Sequence, residues 1–253
     1  MPLYETESLV LKSYNLAEAD RIVVFFTREH GLVRGVAKGA KRLKSRFGST
    51  LELFSIVNLS YFQKEDRELV SIQSVELSKS YFAEASDPEF LNTFSYIADL
   101  LMAFLPPHDR NETLYRMTKA CLEIASDSPE RLACIRFYFE LWLLRLGGYL
   151  PDWSRCRECR LVFAGKVKAG LRSDFQLVCQ DCRMTRNSDF ISSAHIEVFH
   201  SVQKYSPSKF LELTIGIEDT VSEVSGVVRR IISQVIGRDL IAEKSIAVNY
   251  QQH

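Results

Sequence analysis

Four of the chain's six cysteines fall in a single pattern, C-x2-C-x19-C-x2-C, made by Cys156, Cys159, Cys179 and Cys182. A CxxC turn places two sulfurs on one side of a bend, and two such turns complete a tetrahedron around Zn2+. Four cysteine ligands leave no open coordination position, so the pattern predicts one structural zinc per chain and not a catalytic one. Gly165 and Gly170 suit a short hairpin between the two turns, and Arg155, Arg157, Arg160, Lys166 and Lys168 favour thiolates over thiols. A redox reading fits worse, because a redox CxxC normally stands alone at a helix start near a βαβ unit. Cys121 and Cys134 lie in helical patterns and read as core residues.

Disulfides would require an oxidising compartment. The first seven residues, MPLYETE, show neither the basic nor the apolar region of a secretory signal. The longest stretch without Asp, Glu, Lys or Arg is Leu53 to Gln63, 11 residues, against about 20 for a membrane-spanning helix. The chain therefore reads as cytoplasmic, with no membrane partner.

Net charge over the 253 residues is zero, 32 basic against 32 acidic, so any nucleic-acid role must come from local clustering. By segment the net charge is +2 over 1–80, −4 over 81–150, +3 over 151–190 and −1 over 191–253. The sharpest cluster is RGVAKGAKRLKSR, with Arg34, Lys38, Lys41, Arg42, Lys44 and Arg46 and no acid. Gly35 and Gly39 within it permit bends and close approach.

The first 80 residues read as five strands: Ser8 to Tyr14, Arg21 to Thr27, Leu32 to Ala37, Leu51 to Phe62 and Leu69 to Leu77, with a polar turn at Lys64 to Arg67. Strands this closely spaced suggest a small closed barrel, an OB-fold first and an SH3-like barrel second. After Tyr81 the period becomes helical. Asp87-Pro88-Glu89 starts one helix, which Pro106-Pro107 stops. Leu114, Met117, Cys121 and Ile124 mark a second. Ser128-Pro129-Glu130 starts a third, with Leu132, Ile135, Phe139, Trp142 and Leu146 on one face and Gly147-Gly148 at its end. Ser193 caps a helix through Lys204, and the last helix spans Glu218 to Ile236, closed by Gly237. The fold class is α+β: an OB-fold barrel over 1–80, a helical domain over 81–151 and 190–253, and a zinc-ribbon insertion over 152–189.

No residue set asks for an enzyme. His195-Ile196-Glu197 looks like the H-x-E of a zinc deaminase, but that motif precedes its P-C-x-x-C and here it follows both pairs; a polar exposed pair at a helix start is the simpler reading. There is no Walker A loop, no G-x-G-x-x-G and no G-x-S-x-G. His30 and His108 read as turn and loop residues, and Glu65-Asp66 and Glu218-Asp219 as solvated.

A charge run is most often a solvated loop. This one contains no acid, lies between strands of a barrel class that binds oligonucleotides, and has Phe47, Phe54, Tyr61 and Phe62 nearby. Most of those rings belong to the core, because alternation leaves one face outward. The residues point to phosphate contacts by Arg34, Lys38, Lys41, Arg42, Lys44 and Arg46.

Two blocks then carry a resemblance. One runs from Thr27-Arg28-Glu29-His30-Gly31 through Ala37-Lys38-Gly39-Ala40-Lys41-Arg42 and Ser45-Arg46-Phe47 to Leu51-Glu52-Leu53-Phe54 and the strand Val57 to Phe62. The other is RFYFELWLLRLGGYLP, Arg136 to Pro151, directly before the first CxxC. With them the chain resembles the bacterial RecO family of recombination mediator and DNA repair proteins. The resemblance implies an N-terminal OB-fold, a helical domain and a zinc ribbon. It implies binding of single- and double-stranded DNA, ATP-independent strand annealing, and loading of the recombinase RecA on DNA coated by single-strand-binding protein. The implied partners are RecR, single-strand-binding protein and sometimes RecF, and the implied location is the nucleoid. Members often have glycines just before the second CxxC, where this chain has Asp174-Phe175-Gln176-Leu177. The competing class is a zinc-ribbon OB-fold protein acting on RNA or on transcription complexes.

Overall fold

A computed structural model describes residues 2–64, 68–165, 168–182 and 189–237. Most of the turn expected at 64–67, with Glu65-Asp66, and Lys166 lie outside the described residues. The chain divides into two compact units, Met1–Leu132 and Ala133–His253.

In the first unit, five strands close a barrel: β1 (Leu3–Leu16), β2 (Asp20–Thr27), β3 (Gly31–Ala37), β4 (Ile56–Phe62) and β5 (Val70–Lys79). The order round the barrel is β1-β2-β3-β5-β4, with β4 returning to β1. Neighbours are antiparallel except for β3 and β5, which pair in parallel through Gly35↔Val70 and Val36↔Ser71. This five-stranded closed arrangement is the OB-fold. Alternation sends Val10, Val23, Phe25, Val33, Leu59 and Ile72 into one core.

The fourth strand is shorter than its sequence pattern. Leu51 to Ser55 belong to a chain of turns, and the strand starts at Ile56. Phe54 adopts φ 64, which an extended strand cannot contain. Its ring is buried against Phe90 and Phe94, with centroids at 6.4 and 5.7 Å, and that burial offsets a backbone cost of roughly 1–3 kcal/mol. Phe54 and Ser55 still hydrogen-bond to Val10, from Phe54 N–H to Val10 O (2.8 Å) and from Val10 N–H to Ser55 O (3.0 Å).

Two helices pack on the barrel. α1 (Pro88–Phe104) begins as the sequence predicts, with the Asp87 carboxylate accepting from the N–H of Glu89 and Phe90. α2 (Glu112–Asp127) is capped by Asn111, whose side chain accepts from Leu114 N–H. The connection between them docks on β3: Pro107 bridges Leu32, and His108 N–H donates to Leu32 O (3.1 Å). Gly31 is required there, because its φ is +63 and a Cβ would stand 2.1 Å from Asp109 O.

In the second unit, α3 (Leu132–Leu146) follows a short 3-10 turn at Pro129–Arg131. It is buried nearly all round, not on one face, and of the five residues read as that face Leu146 is exposed. The cysteine segment carries β6 (Lys168–Leu171), β7 (Leu177–Val178) and β8 (Phe190–Ser192), ordered β7-β6-β8. Then come α4 (Ser193–Lys204), α5 (Pro207–Leu213) and α6 (Glu218–Ile236). α6 ends at Gly237 with φ 71, as its sequence demands. α5 was not foreseen, although Ser206 caps it and Pro207 opens it. No described helix is long and apolar enough to cross a membrane.

Candidate nucleic-acid interface and metal centre

From Lys38 the chain leaves β3 and winds through successive turns to Phe54. Two bonds seat the start of this segment on the β1–β2 turn: Gly39 N–H donates to Asp20 Oδ1 (2.7 Å) and Lys41 N–H to Ala19 O (3.0 Å). At the other end Arg46 Nη2 donates to Ile72 O (3.1 Å), and its guanidinium lies 4.8 Å from the ring centre of Phe47. Arg34, on β3, reaches Glu68 just before β5 (3.3 Å), an acid that the sequence cluster itself lacks. The basic residues are thus held at three places on the barrel: Lys41 at the β1–β2 turn, Arg34 beside Glu68 ahead of β5, and Arg46 on β5; OB-folds bind oligonucleotides through the face of strands 2 and 3 and adjoining loops.

Lys38, Lys41, Arg42 and Lys44 are exposed and make no ion pair among the described residues. Leu43, between two of them, is fully exposed. Phe47 and Tyr61 are buried in the barrel core, Phe54 is buried against α1 and Phe62 is half-buried, so the three buried rings do not line the surface. A cleft of about 270 Å³ lies between the barrel and α2. Two of its cations are paired, Lys119 with Glu7 (2.9 Å) and Arg28 with Glu112 (2.8 Å), which tie β1 and the end of β2 to α2.

In the second unit the sulfurs of Cys156, Cys159, Cys179 and Cys182 all lie within 4.8 Å of one another. Metal–sulfur bonds of about 2.3 Å give a tetrahedron with edges of about 3.8 Å. Cys159 Sγ and Cys179 Sγ are 3.7 Å apart, which matches that edge and not a disulfide. The first turn is closed by Cys156 N–H to Leu161 O (2.8 Å) and Arg160 N–H to Cys156 O (3.0 Å), with Arg160 at φ 64. Arg157 N–H donates to Leu177 O (2.8 Å), tying this turn to β7 and so to the second pair.

The local field suits an anionic sulfur. Burial works against a thiolate at Cys156, but the N–H groups of Cys179, Cys159 and Glu158 outweigh it and draw its pKa down to about 6. Hydrogen bonds with Cys159 and Cys179 push Cys182 up to about 12, so the sulfurs share protons. Four sulfurs this close can all be thiolates only with a cation among them. The cluster can hold a metal ion, and the donor set is the soft tetrahedral one.

Trp153 anchors the module: its Nε1 donates to Phe175 O (3.0 Å), and its ring stacks on Phe199 of α4 at 4.2 Å. Phe175 takes φ 60, the left-handed conformation a glycine would adopt with less strain. Arg155, Arg157, Arg160 and Lys168 are exposed around the cluster. His195 is half-buried, not an exposed polar residue. Its Nδ1 accepts from Ser192 N–H (2.9 Å) and its Nε2 meets Glu223 (2.5 Å), so it closes the start of α4. Cys121 and Cys134 are buried, and burial pushes the Cys121 thiol up to about 12.

The barrel and the cysteine cluster together define an OB-fold protein with a four-cysteine cluster able to hold a metal ion. Residues 1–81 match the family described as Recombination protein O N terminal, and residues 85–242 match Recombination protein O C terminal. The chain belongs to the RecO family of recombination and DNA repair proteins. It is similar to the DNA repair protein RecO of Koribacter versatilis, 35% identical over 158 residues, 62% of this chain and 64% of that protein. The protein of the same name from Caldanaerobacter subterraneus is 32% identical over 73% of each chain. That of Dehalococcoides mccartyi is 24% identical over 93% of this chain and 92% of its own.

Proposed function

We propose that this chain is a DNA-binding recombination mediator. It binds single- and double-stranded DNA, anneals complementary strands without a nucleotide, and helps load the recombinase RecA on DNA coated by single-strand-binding protein. The observation that carries the reading is the acid-free loop with Lys38, Lys41, Arg42 and Lys44, exposed and seated on the β1–β2 turn of an OB-fold. Family membership supplies the biological setting.

Two strands repel through their phosphates. A protein that neutralises both while leaving bases free lowers that barrier with no chemical step. The loop residues Arg34 to Arg46 are the main DNA contact, reading phosphates, and the basic surface around Arg155 to Lys168 offers a second. We assign DNA binding to 1–80, and contacts with RecR, single-strand-binding protein and RecF to the mildly acidic helical parts, 81–151 and 190–253. In 152–189, Cys156, Cys159, Cys179 and Cys182 hold one structural zinc, which supplies folding energy and no catalysis.

A fluorescence assay of strand pairing tests the reading. Pairing should accelerate with protein and be indifferent to ATP. Slower pairing than protein-free controls at every protein and salt concentration would overturn the mediator role, strict ATP dependence would overturn the mechanism, and a preference for RNA over DNA would favour an RNA-binding role.

A further inference from the structure

The outer face of β1, β2 and β3 changes character along its length. Residues directly opposite in an antiparallel pair point to the same face. Three rows cross these strands outside the barrel: Leu9–Phe26–Leu32, Lys12–Val24–Arg34 and Tyr14–Ile22–Val36. The intervening Val10, Val23, Phe25 and Val33 face the core, and a shift of register in β1 between Val10 and Lys12 sets Lys12 and Tyr14 opposite the outward Val24 and Ile22.

The first row is buried. Phe26 packs on Tyr115 of α2 at 5.5 Å, and Leu32 bridges Pro107. In the second row Val24 is buried, Lys12 reaches Asp99 of α1 (2.6 Å) and Arg34 reaches Glu68. In the third row Tyr14 is 47% exposed, and Ile22 and Val36 are half-buried. Among the described residues, no ring contact or ion pair from α1 or α2 reaches that row. It begins two residues beyond Arg34, stops two residues short of Lys38, and adjoins the β1–β2 turn on which Lys41 is seated.

We propose that Tyr14 is the base-stacking residue of the nucleic-acid site. This rests on the DNA-binding reading and deepens it. An aromatic–aliphatic strip rimmed by cations fits a single strand, whose bases offer free faces while its phosphates meet Arg34, Lys38 and Lys41. A duplex cannot use it, because its base faces are already stacked on one another. The ring of Tyr14 covers one base, Ile22 and Val36 form the apolar floor beside it, and the site thereby prefers single strands to duplex.

The test is binding of the full chain to three probes: an oligo-dT strand, a strand of the same length built of abasic sugar-phosphates, and a duplex. Y14A should weaken oligo-dT binding by about five- to a hundredfold. It should leave abasic-strand and duplex binding, and the salt slope, unchanged. Y14F should restore the wild-type affinity. Y14T serves as a second truncation with good strand propensity, and melting temperature is followed for all variants. If Y14A and Y14T bind oligo-dT as wild type does, or lose abasic-strand binding to the same degree, the stacking role is overturned while the phosphate site stands. If wild-type protein binds none of the probes, the DNA-binding reading falls and the stacking role with it.

Discussion

The barrel and the cysteine module are both small β-structures, and they are held together differently. The barrel closes five strands over a core of buried aliphatic and aromatic side chains. The module has strands of four, two and three residues, and its buried cluster is Cys156, Val178 and Cys179 with Phe163 and Cys182 packed against it. Three of those five residues are cysteines whose sulfurs point at one another. A segment this short cannot bury enough apolar surface to offset its chain entropy, and a metal held by the four cysteines, as we propose, would take the place of the missing core.

The largest effect should separate the two regions outright. Chelation, or C179S, should remove amide protection from about 152 to 182 while the barrel keeps its own; hydrogen exchange read by mass spectrometry reports both at once. Elemental analysis should find one zinc per chain, and less than about half an equivalent would count against the site. The reverse experiment is F25A. Removing a fully buried ring should cost the first unit roughly 3–5 kcal/mol and leave zinc content unchanged. Loss of zinc in F25A would mean that the regions are not independent.

The third comparison concerns DNA. Six phosphate contacts on a single strand give a log–log salt slope near −4, and replacing Lys41, Arg42 and Lys44 together should halve it to about −2. An unchanged slope would transfer the phosphate contacts from the barrel to the basic surface of the module. A smaller effect tests how the barrel holds its helices: G31A should cost more than about 1 kcal/mol, since the new Cβ meets the Asp109 backbone at a positive φ. The smallest is pH dependence. Burial lowers the pKa of His30 below 6.5, so the unfolded chain takes up its proton first. That contribution to stability is complete above pH about 6.5 and is lost as pH falls through the folded value. In denaturant titrations at pH 7.5 and 5.5, H30N should narrow the gap between the two midpoints. His30 suits this better than His200, also lowered by burial, because the four-cysteine cluster lies in the unit of His200.

Legibility in the sequence followed the range of the interactions. α6 runs from Glu218 to Ile236 as read, because its apolar period and closing glycine are local. The Asp87-Pro88 start of α1 and the cysteine spacing are equally local. Where the reading failed, a distant partner decided. Phe54 leaves the strand pattern because Phe90 and Phe94 receive its ring. His195 is half-buried, with its Nε2 against Glu223 of α6, 28 residues on. α3 looked one-faced because helical periodicity cannot say how many sides of a helix are covered.

The nucleic-acid face shows the same division. Alternation in the sequence determined that Ile22 could not share a face with Val23, nor Val36 with Val33, since the strand period is two; Tyr14 joins them outside only because the β1 ladder shifts register between Val10 and Lys12. The sequence also determined a cation cluster with no acid inside it. Only the tertiary structure decided which rings are wet. Phe47, Phe54 and Tyr61 stand near the basic residues in the sequence and are buried, Phe47 and Tyr61 in the barrel and Phe54 against α1; Tyr14 stands 20 residues before Arg34 and shares its outer face. Parity is a property of one strand, whereas coverage depends on where α1 and α2 come to rest, and no local pattern carries that information.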